Sequence, residues 1–176
     1  MKNIKFKQFL QILLAVGITA VILRTFVIDS FIVEGDSMAP TILSGDYIFV
    51  DKISHHFKNF SRKDIIVVNP RSDVARIIKR IIGLPGERVE ITNDKVWIKS
   101  DRKDVGNTLS EEYLDLPATP AIGLSTIQLD PKEYFILGDN RYVSIDSREL
   151  GPVDEWDIEG RVFFIFRLRS LFVKIF

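Results

Sequence analysis

The residues that could carry chemistry in this 176-residue chain are few. Its two histidines, His55 and His56, are adjacent in the polar stretch Ser54-His55-His56-Phe57-Lys58-Asn59, which reads as a surface loop. No G-x-S-x-G elbow marks a Ser-His-Asp triad, and no H-E-x-x-H or spaced His/Cys pattern marks a metal site. Cysteine is absent, which excludes thiol nucleophiles and disulfides but says nothing about the compartment. With histidine set aside, a hydroxyl can be activated by a lysine that is neutral near pH 7. That requires burial among apolar groups to lower a pKa of about 10.4.

One lysine has such surroundings. As a strand, Ala75-Arg76-Ile77-Ile78-Lys79-Arg80-Ile81-Ile82 puts Ile77, Lys79 and Ile81 on one face and Ile78, Arg80 and Ile82 on the other. Spacing alone leaves a second reading open, in which Lys79 and Arg80 both reach solvent. A small hydroxyl, Ser37, lies in the turn-prone segment Gly35-Asp36-Ser37-Met38-Ala39-Pro40-Thr41. Such a loop can expose a nucleophile or serve as a plain connection.

The elements that must position these two residues are mostly strands. Short β-rich runs recur at Phe31 to Glu34, Tyr47 to Lys52, Asp64 to Val68, Ala75 to Ile82, Arg88 to Ile91, Lys95 to Lys99, Thr126 to Leu129, Tyr134 to Leu137 and Arg161 to Phe166. Turn signals separate them, and Asn93-Asp94 sits where a tight hairpin joins RVEIT to KVWIK. No βαβ alternation is present, so the expected fold is a mostly-β, antiparallel-sheet domain. Residues 100–125 are more polar and punctuated by Pro and Gly, and read as a small inserted subdomain. The C-terminal RLRSLFVKIF fits either a membrane-surface segment or a final strand.

Ahead of this domain, FLQILLAVGITAVIL from Phe9 to Leu23 is apolar apart from Gln11 and Thr19, and Phe26-Val27-Ile28 extends it. The expected organisation is a cytoplasmic N-terminus at 1–8, one transmembrane anchor at 9–28 and an extracytoplasmic catalytic domain at 29–176. Lys2, Lys5 and Lys7 favour a cytoplasmic start, and Arg24 can snorkel to the far interface. A cleaved secretory signal peptide and a buried core helix are the competing readings. The net charge of zero hides this asymmetry: residues 1–28 carry four bases and no acid, leaving 20 basic against 24 acidic residues beyond them. A mildly acidic body argues against nucleic acid as a partner.

Four motifs together resemble the ordered series of bacterial type I signal peptidases: Ser37-Met38-Ala39-Pro40-Thr41, Gly45 to Lys52 (GDYIFVDK), Lys79 to Glu87 (KRIIGLPGE) and Gly138 to Arg148 (GDNRYVSIDSR). The resemblance runs from the anchor to about residue 166. It implies a membrane-bound serine endopeptidase without cofactor or metal. Its partners would be secretory precursors and membrane lipid, and it would cut signal peptides after small residues at the cytoplasmic membrane.

Carried onto this chain, the resemblance implies that Ser37 attacks the scissile carbonyl and Lys79 acts as general base. Ser144 would hydrogen-bond and orient Lys79. The Ser37 backbone N–H would donate to the oxyanion, a contribution of about 3 kcal/mol in serine proteases. Some members place a serine or threonine two residues before the nucleophile as a second donor; this chain has Gly35 there. Met38 would line the substrate cleft. Gly138 to Arg141 with Asp146 and Arg148 would hold the loop that carries Ser144, through an ion pair of Asp146 with Arg148 or Arg141. Gly83-Leu84-Pro85-Gly86 needs no catalytic role, since Pro then Gly suits a chain reversal.

Three rivals share some of these features. A self-cleaving repressor protease uses Ser-Lys chemistry in solution, but an apolar N-terminal run and no DNA-binding helix pair argue against it. An S-x-x-K acyltransferase would use Ser100-Asp101-Arg102-Lys103, yet no K-T-G partner is present. A non-catalytic, membrane-tethered β module that binds export partners differs from the peptidase only in activity.

Overall fold

The computed structural model of the chain describes the backbone of residues 2–70, 75–100, 105–116, 118–167 and 172–176, and their side chains except at 2–4, 22–26, 55 and 172. α1 (Lys2–Phe26) leads through Val27 into β1 (Ile28–Ile32), followed by β2 (Tyr47–Asp51), β3 (Ile65–Val68) and β4 (Ile77–Gly83). Next come β5 (Arg88–Thr92), β6 (Lys95–Lys99), β7 (Asn107–Thr108), β8 (Thr126–Gln128) and β9 (Glu133–Leu137). The one-turn α2 (Ser147–Leu150), β10 (Val153–Asp154), β11 (Ile158–Arg167) and β12 (Phe172–Ile175) complete the order.

The fold is mostly β and antiparallel throughout the described pairings, as the turn-separated runs predict. Eight strands form the main sheet in the order β1-β2-β11-β3-β4-β9-β10, with β12 added on β11, and β7-β6-β5-β8 form a second sheet. Asn93 and Asp94 take φ of 50° and 57°, the left-handed values a two-residue hairpin turn needs, and join β5 to β6 with Thr92 opposite Lys95. β11 pairs with β3 at its start and with β2 further on, and its two irregularities, at Ile158/Gly160 and Val162/Phe164, let one long strand serve both.

The second sheet revises the expected insertion at 100–125. That segment supplies β7 to β6 and leads into β8 on β5, so the subdomain reaches back to Arg88. Composition marks only its polar half, because the β5–β6 hairpin reads like any other strand pair. Residues 101–104 and 117 of that segment, and with them most of Ser100-Asp101-Arg102-Lys103, lie outside the described residues. At the C-terminus, Phe172 to Ile175 pair with Phe164 to Arg167, which supports the final-strand reading; 168–171 lie outside the described residues.

The anchor expected at 9–28 is also revised. The helix starts at Lys2 and ends at Phe26, and Ile28 already pairs with Asp51 in β1. Among the described residues no helix is long and apolar enough to cross a membrane. The described side chains of α1 span Lys5 to Val21, about 25 Å at 1.5 Å per residue against a hydrocarbon core of about 30 Å. Arg24, the expected snorkelling residue, lies outside the described side chains. Those that are described, Leu10, Leu13, Leu14 and Ile18 among them, are exposed, so α1 is not a buried core helix.

β4 joins three apolar clusters. Ile78 packs in one with Val33, Met38, Ile48 and Val162, Ile81 in a second with Ile66, Tyr134 and Ile158, and Ile82 in a third with Val89, Phe135 and Leu137. A strand covered on both faces cannot send Lys79 and Arg80 to solvent, and they are 3% and 4% exposed.

Candidate active site

The loop after β1 carries Ser37. Gly35 turns the chain with φ of 93°, and the Ala39 N–H closes a turn on the Asp36 carbonyl at 3.1 Å. Two anchors fix the serine between them. The Met38 side chain is buried in the first cluster, and the Ser37 carbonyl accepts the Asn140 N–H at 3.0 Å. The Ser37 hydroxyl stays half-exposed, and among the described residues nothing accepts its backbone N–H.

Lys79 approaches from β4. Its Nζ donates to Ser37 Oγ at 2.9 Å and to the Ile78 carbonyl at 2.9 Å. Burial pushes its pKa down from 10.5 to about 8, against the upward pull of the Asp146 and Asp139 carboxylates. A neutral amine at this position has a lone pair that accepts the Ser37 O–H, the geometry of a base beside its nucleophile.

The carboxylates belong to a loop after β9 that is held from several sides. Arg80, beside Lys79 but pointing away from Ser37, donates to both oxygens of Asp139 at 2.8 and 2.6 Å. Asp146 caps α2, accepts the Gly138 N–H at 3.0 Å, and is paired by Arg148 Nε and Nη2 at 2.8 and 2.9 Å. Gly138 lies so close to Ser144 Oγ and to the Ser37 carbonyl oxygen that a Cβ there would overlap both.

The cleft is a gap between strand edges. β9 pairs with β4 only from Arg80 onward, so among the described residues one edge of Ile77 to Lys79 is unpaired, and the outer edge of β1 is free as well. A cleft of about 240 Å³ runs between them, lined by Phe31 to Gly35, Ser37, Met38 and Arg76 to Lys79. Arg76 spans it, 3.4 Å from Asp29 and with its guanidinium over the Phe31 ring. The cleft opens on a wider basin of about 510 Å³ that Val143, Ile145 and Asn140 share with Ser37. Among the described residues no group of His, Cys, Asp or Glu is arranged to hold a metal ion.

The profile of the family described as signal peptidase, peptidase S26 matches residues 6–167, a span containing Ser37, Lys79 and the loop that faces them. The chain belongs to this family. It is 37% identical over 158 residues to a signal peptidase I P of Bacillus subtilis subsp. natto, covering 85% of this chain and 82% of that one. It is 33% identical over 174 residues to a signal peptidase I of Bacillus licheniformis, covering 94% and 90%. A solved signal peptidase I from Enterococcus faecalis V583 is 34% identical, covers 59% of this chain and 97% of that chain, and has a TM-score of 0.48.

Against the residues expected of a signal peptidase, the structure brings Ser37, Lys79, Met38, Asp146 and Arg148 into one site. Met38 lines the cleft while 1% exposed, so it acts as floor and as core at once. The ion pair of Asp146 forms with Arg148; Arg141 turns instead to Glu111. The bond expected from Ser144 to Lys79 is not made. Ser144 Oγ is buried beside Gly138 and makes no hydrogen bond among the described residues; Ser37 Oγ and the Ile78 carbonyl take the Lys79 amine. Sequence reasoning missed Arg80 with Asp139, although two adjacent cations inside an apolar strand carry the signal. It also missed Glu111 and Tyr113, whose polar segment gives none.

Proposed function

We propose that this member of the signal peptidase family is a membrane-bound serine endopeptidase that removes signal peptides from exported precursors, with Ser37 as nucleophile and Lys79 as general base. The observation that carries it is the 2.9 Å bond between Lys79 Nζ and Ser37 Oγ, made by an amine whose burial lowers its pKa to about 8.

An extended precursor segment enters the cleft as an added strand, using the free edges of β1 and of Ile77 to Lys79. Its alternate side chains then face one way, and the apolar lining of Phe31, Val33, Met38 and Ile78 favours small residues at the first and third positions before the cut. Lys79 takes the Ser37 proton as Oγ attacks the carbonyl carbon. The oxyanion receives the free Ser37 N–H. On collapse the C–N bond breaks, Lys79 protonates the departing amine, and an ester to Ser37 remains. Lys79 then deprotonates a water that attacks this ester, and returns the proton to Ser37 Oγ as the acyl C–O bond breaks. While Ser37 is acylated Lys79 lacks its hydroxyl partner, and Ser144 Oγ, buried nearby and unengaged, is the group to orient it.

The anchor is proposed from the sequence, since the apolar run continues through Ile22 and Leu23 beyond the described side chains. Lys5 and Lys7 at its start hold that end in the cytoplasm, leaving residues 29–176 outside. Tyr142, Val143 and Ile145 are more than half exposed on the loop beside the cleft and suit a site that works at the bilayer surface.

Incubating a detergent-solubilised secretory precursor with wild type and with Ser37→Ala, and sequencing the product N-terminus, tests the whole assignment. Cutting after a small residue by wild type alone is the expected result. An intact precursor with folded wild type, or equal cutting by Ser37→Ala, would overturn it.

A further inference from the structure

We propose that Glu111 and Tyr113, in the connection between β7 and β8, are positioning residues for the Ser37–Lys79 pair, an inference that rests on the peptidase reading above. Neither touches the reacting atoms. Both reach them through bonds that end on the loop after β9.

Two routes run from this segment to the nucleophile. Along one, the Glu111 carboxylate accepts from both terminal nitrogens of Arg141 and from the Tyr113 hydroxyl, the last at 2.7 Å, and Thr119 Oγ1 accepts from Arg141 Nη1 as well. Arg141 is thereby fixed, and its Nε donates to the Gly138 carbonyl at 2.9 Å. Gly138 is the residue pressed against Ser144 and the Ser37 carbonyl. Along the other, the Tyr113 ring lies 4.0 Å from the Arg80 guanidinium, which holds Asp139 through both oxygens. The next residue, Asn140, donates its N–H to the Ser37 carbonyl.

The Arg141 and Glu111 side chains are 1% and 7% exposed, so this clamp is shielded from water and salt. A clasp needed only for stability could close anywhere on the second sheet; this one closes on residues 138–141, the stretch that backs the nucleophile. Leu124 N–H on the Arg148 carbonyl and Arg148 Nη2 on the Arg141 carbonyl, both at 2.7 Å, tie the same segment to the far side of the loop. The second sheet therefore holds the catalytic loop against β4.

The charged groups around Lys79 are Arg76 just before its strand and Arg80 on it, Asp139 and Asp146 on the loop with their partners Arg80 and Arg148, Arg141 behind that loop, and Glu34 and Asp36 at the cleft mouth. Tyr113 adds no charge to this set, because burial and the neighbouring Glu111 raise its pKa and keep its hydroxyl protonated. Tyr113→Ala thus removes the ring from Arg80 and the hydroxyl from Glu111 and Arg141 without changing the net charge. Releasing the loop after β9 from β4 loosens the packing that buries Lys79, so its desolvation falls and its pKa moves up.

The test uses the full chain in detergent, with an Ala-X-Ala secretory precursor as substrate. It reads kcat and KM against pH for wild type, Tyr113→Ala, Tyr113→Phe, Glu111→Gln and the exposed control Glu112→Gln. Tyr113→Ala is expected to lose about tenfold or more in kcat with KM little changed, and its ascending pH limb to move alkaline by about half a unit or more. Tyr113→Phe, which keeps the ring on Arg80, should recover most of the loss. Glu111→Gln should lose kcat similarly, and Glu112→Gln should match wild type. A Tyr113→Ala enzyme whose limb stays in place and whose kcat per folded molecule is normal would overturn the inference. If Tyr113→Ala does not fold, Glu111→Gln with wild-type kcat per folded molecule would overturn it instead. A wild type that cuts while the variants match it sinks the positioning role alone; a wild type that does not cut sinks the peptidase reading too.

Discussion

Ser37 Oγ and Lys79 Nζ stand 2.9 Å apart although 42 residues separate them in the chain. Their meeting depends on β4 being covered on both faces, which strips water from the amine, and on Asn140 and Met38 fixing the loop that offers the hydroxyl.

Lys79→Met is expected to abolish cleavage while making the protein more stable at pH 7. The amine is protonated and buried at that pH, and a methionine of similar length removes that cost. The gain should be about 1–3 kcal/mol in urea denaturation, allowing for the two hydrogen bonds lost. Lys79→Arg should be inactive as well, because a guanidinium does not give up its proton at working pH. Retained turnover in Lys79→Arg would exclude lysine as the base.

The rate should climb with pH. Below about 8 Lys79 is protonated and cannot accept the Ser37 proton, so kcat/KM should rise about tenfold per pH unit before levelling off above that value. Stability follows the same group. The unfolded chain holds the lysine proton up to about 10.5 and the folded chain only to about 8, so the unfolded state binds more protons between these values and stability rises with pH across them. Below about 8 the full penalty of about 3 kcal/mol applies. The stability gap between Lys79→Met and wild type should therefore shrink from pH 7 to pH 10, and a constant gap would show that Lys79 titrates normally.

Asp139→Asn should destabilise by about 3–5 kcal/mol, since it leaves the Arg80 guanidinium buried without its paired charge. Asp139 also raises the Lys79 pKa, so any folded Asp139→Asn enzyme should show its ascending limb displaced to lower pH. Chemical denaturation and a pH-rate profile read the two effects separately.

Two glycine substitutions should separate activity from stability. A Cβ at Gly138 overlaps Ser144 Oγ and the Ser37 carbonyl oxygen, so Gly138→Ala should displace the nucleophile and lose activity. At Gly45 a Cβ meets open space but φ is 90°, so Gly45→Ala should cost about 1–2 kcal/mol of stability and leave turnover per folded molecule intact. Equal turnover in the two variants would show that the Gly138 contact does not hold the site.

The sequence by itself determined the strand plan, the β5–β6 hairpin and the two residues proposed to react. Alternating or continuous apolar runs bounded by Gly, Pro, Asn and Asp are local signals, and they place most strands within a few residues. The two-residue strands β7 and β10 and the one-turn α2 escaped, because elements that short have no periodicity and exist only through their partners. Ser37 and Lys79 became readable through the ordered motifs around them; the isoleucines beside Lys79 left solvent exposure open.

Only the tertiary structure decided which charges are buried and whom they meet. Arg80 with Asp139, Arg141 with Glu111 and the isolated hydroxyl of Ser144 depend on contacts 59 and 30 residues apart for the two pairs, and on how closely Gly138 lets the backbone approach. No local pattern encodes these distances. The Lys79 pKa belongs to the same class, because desolvation is a property of the assembled clusters around β4 and not of the residues next to the lysine in the chain.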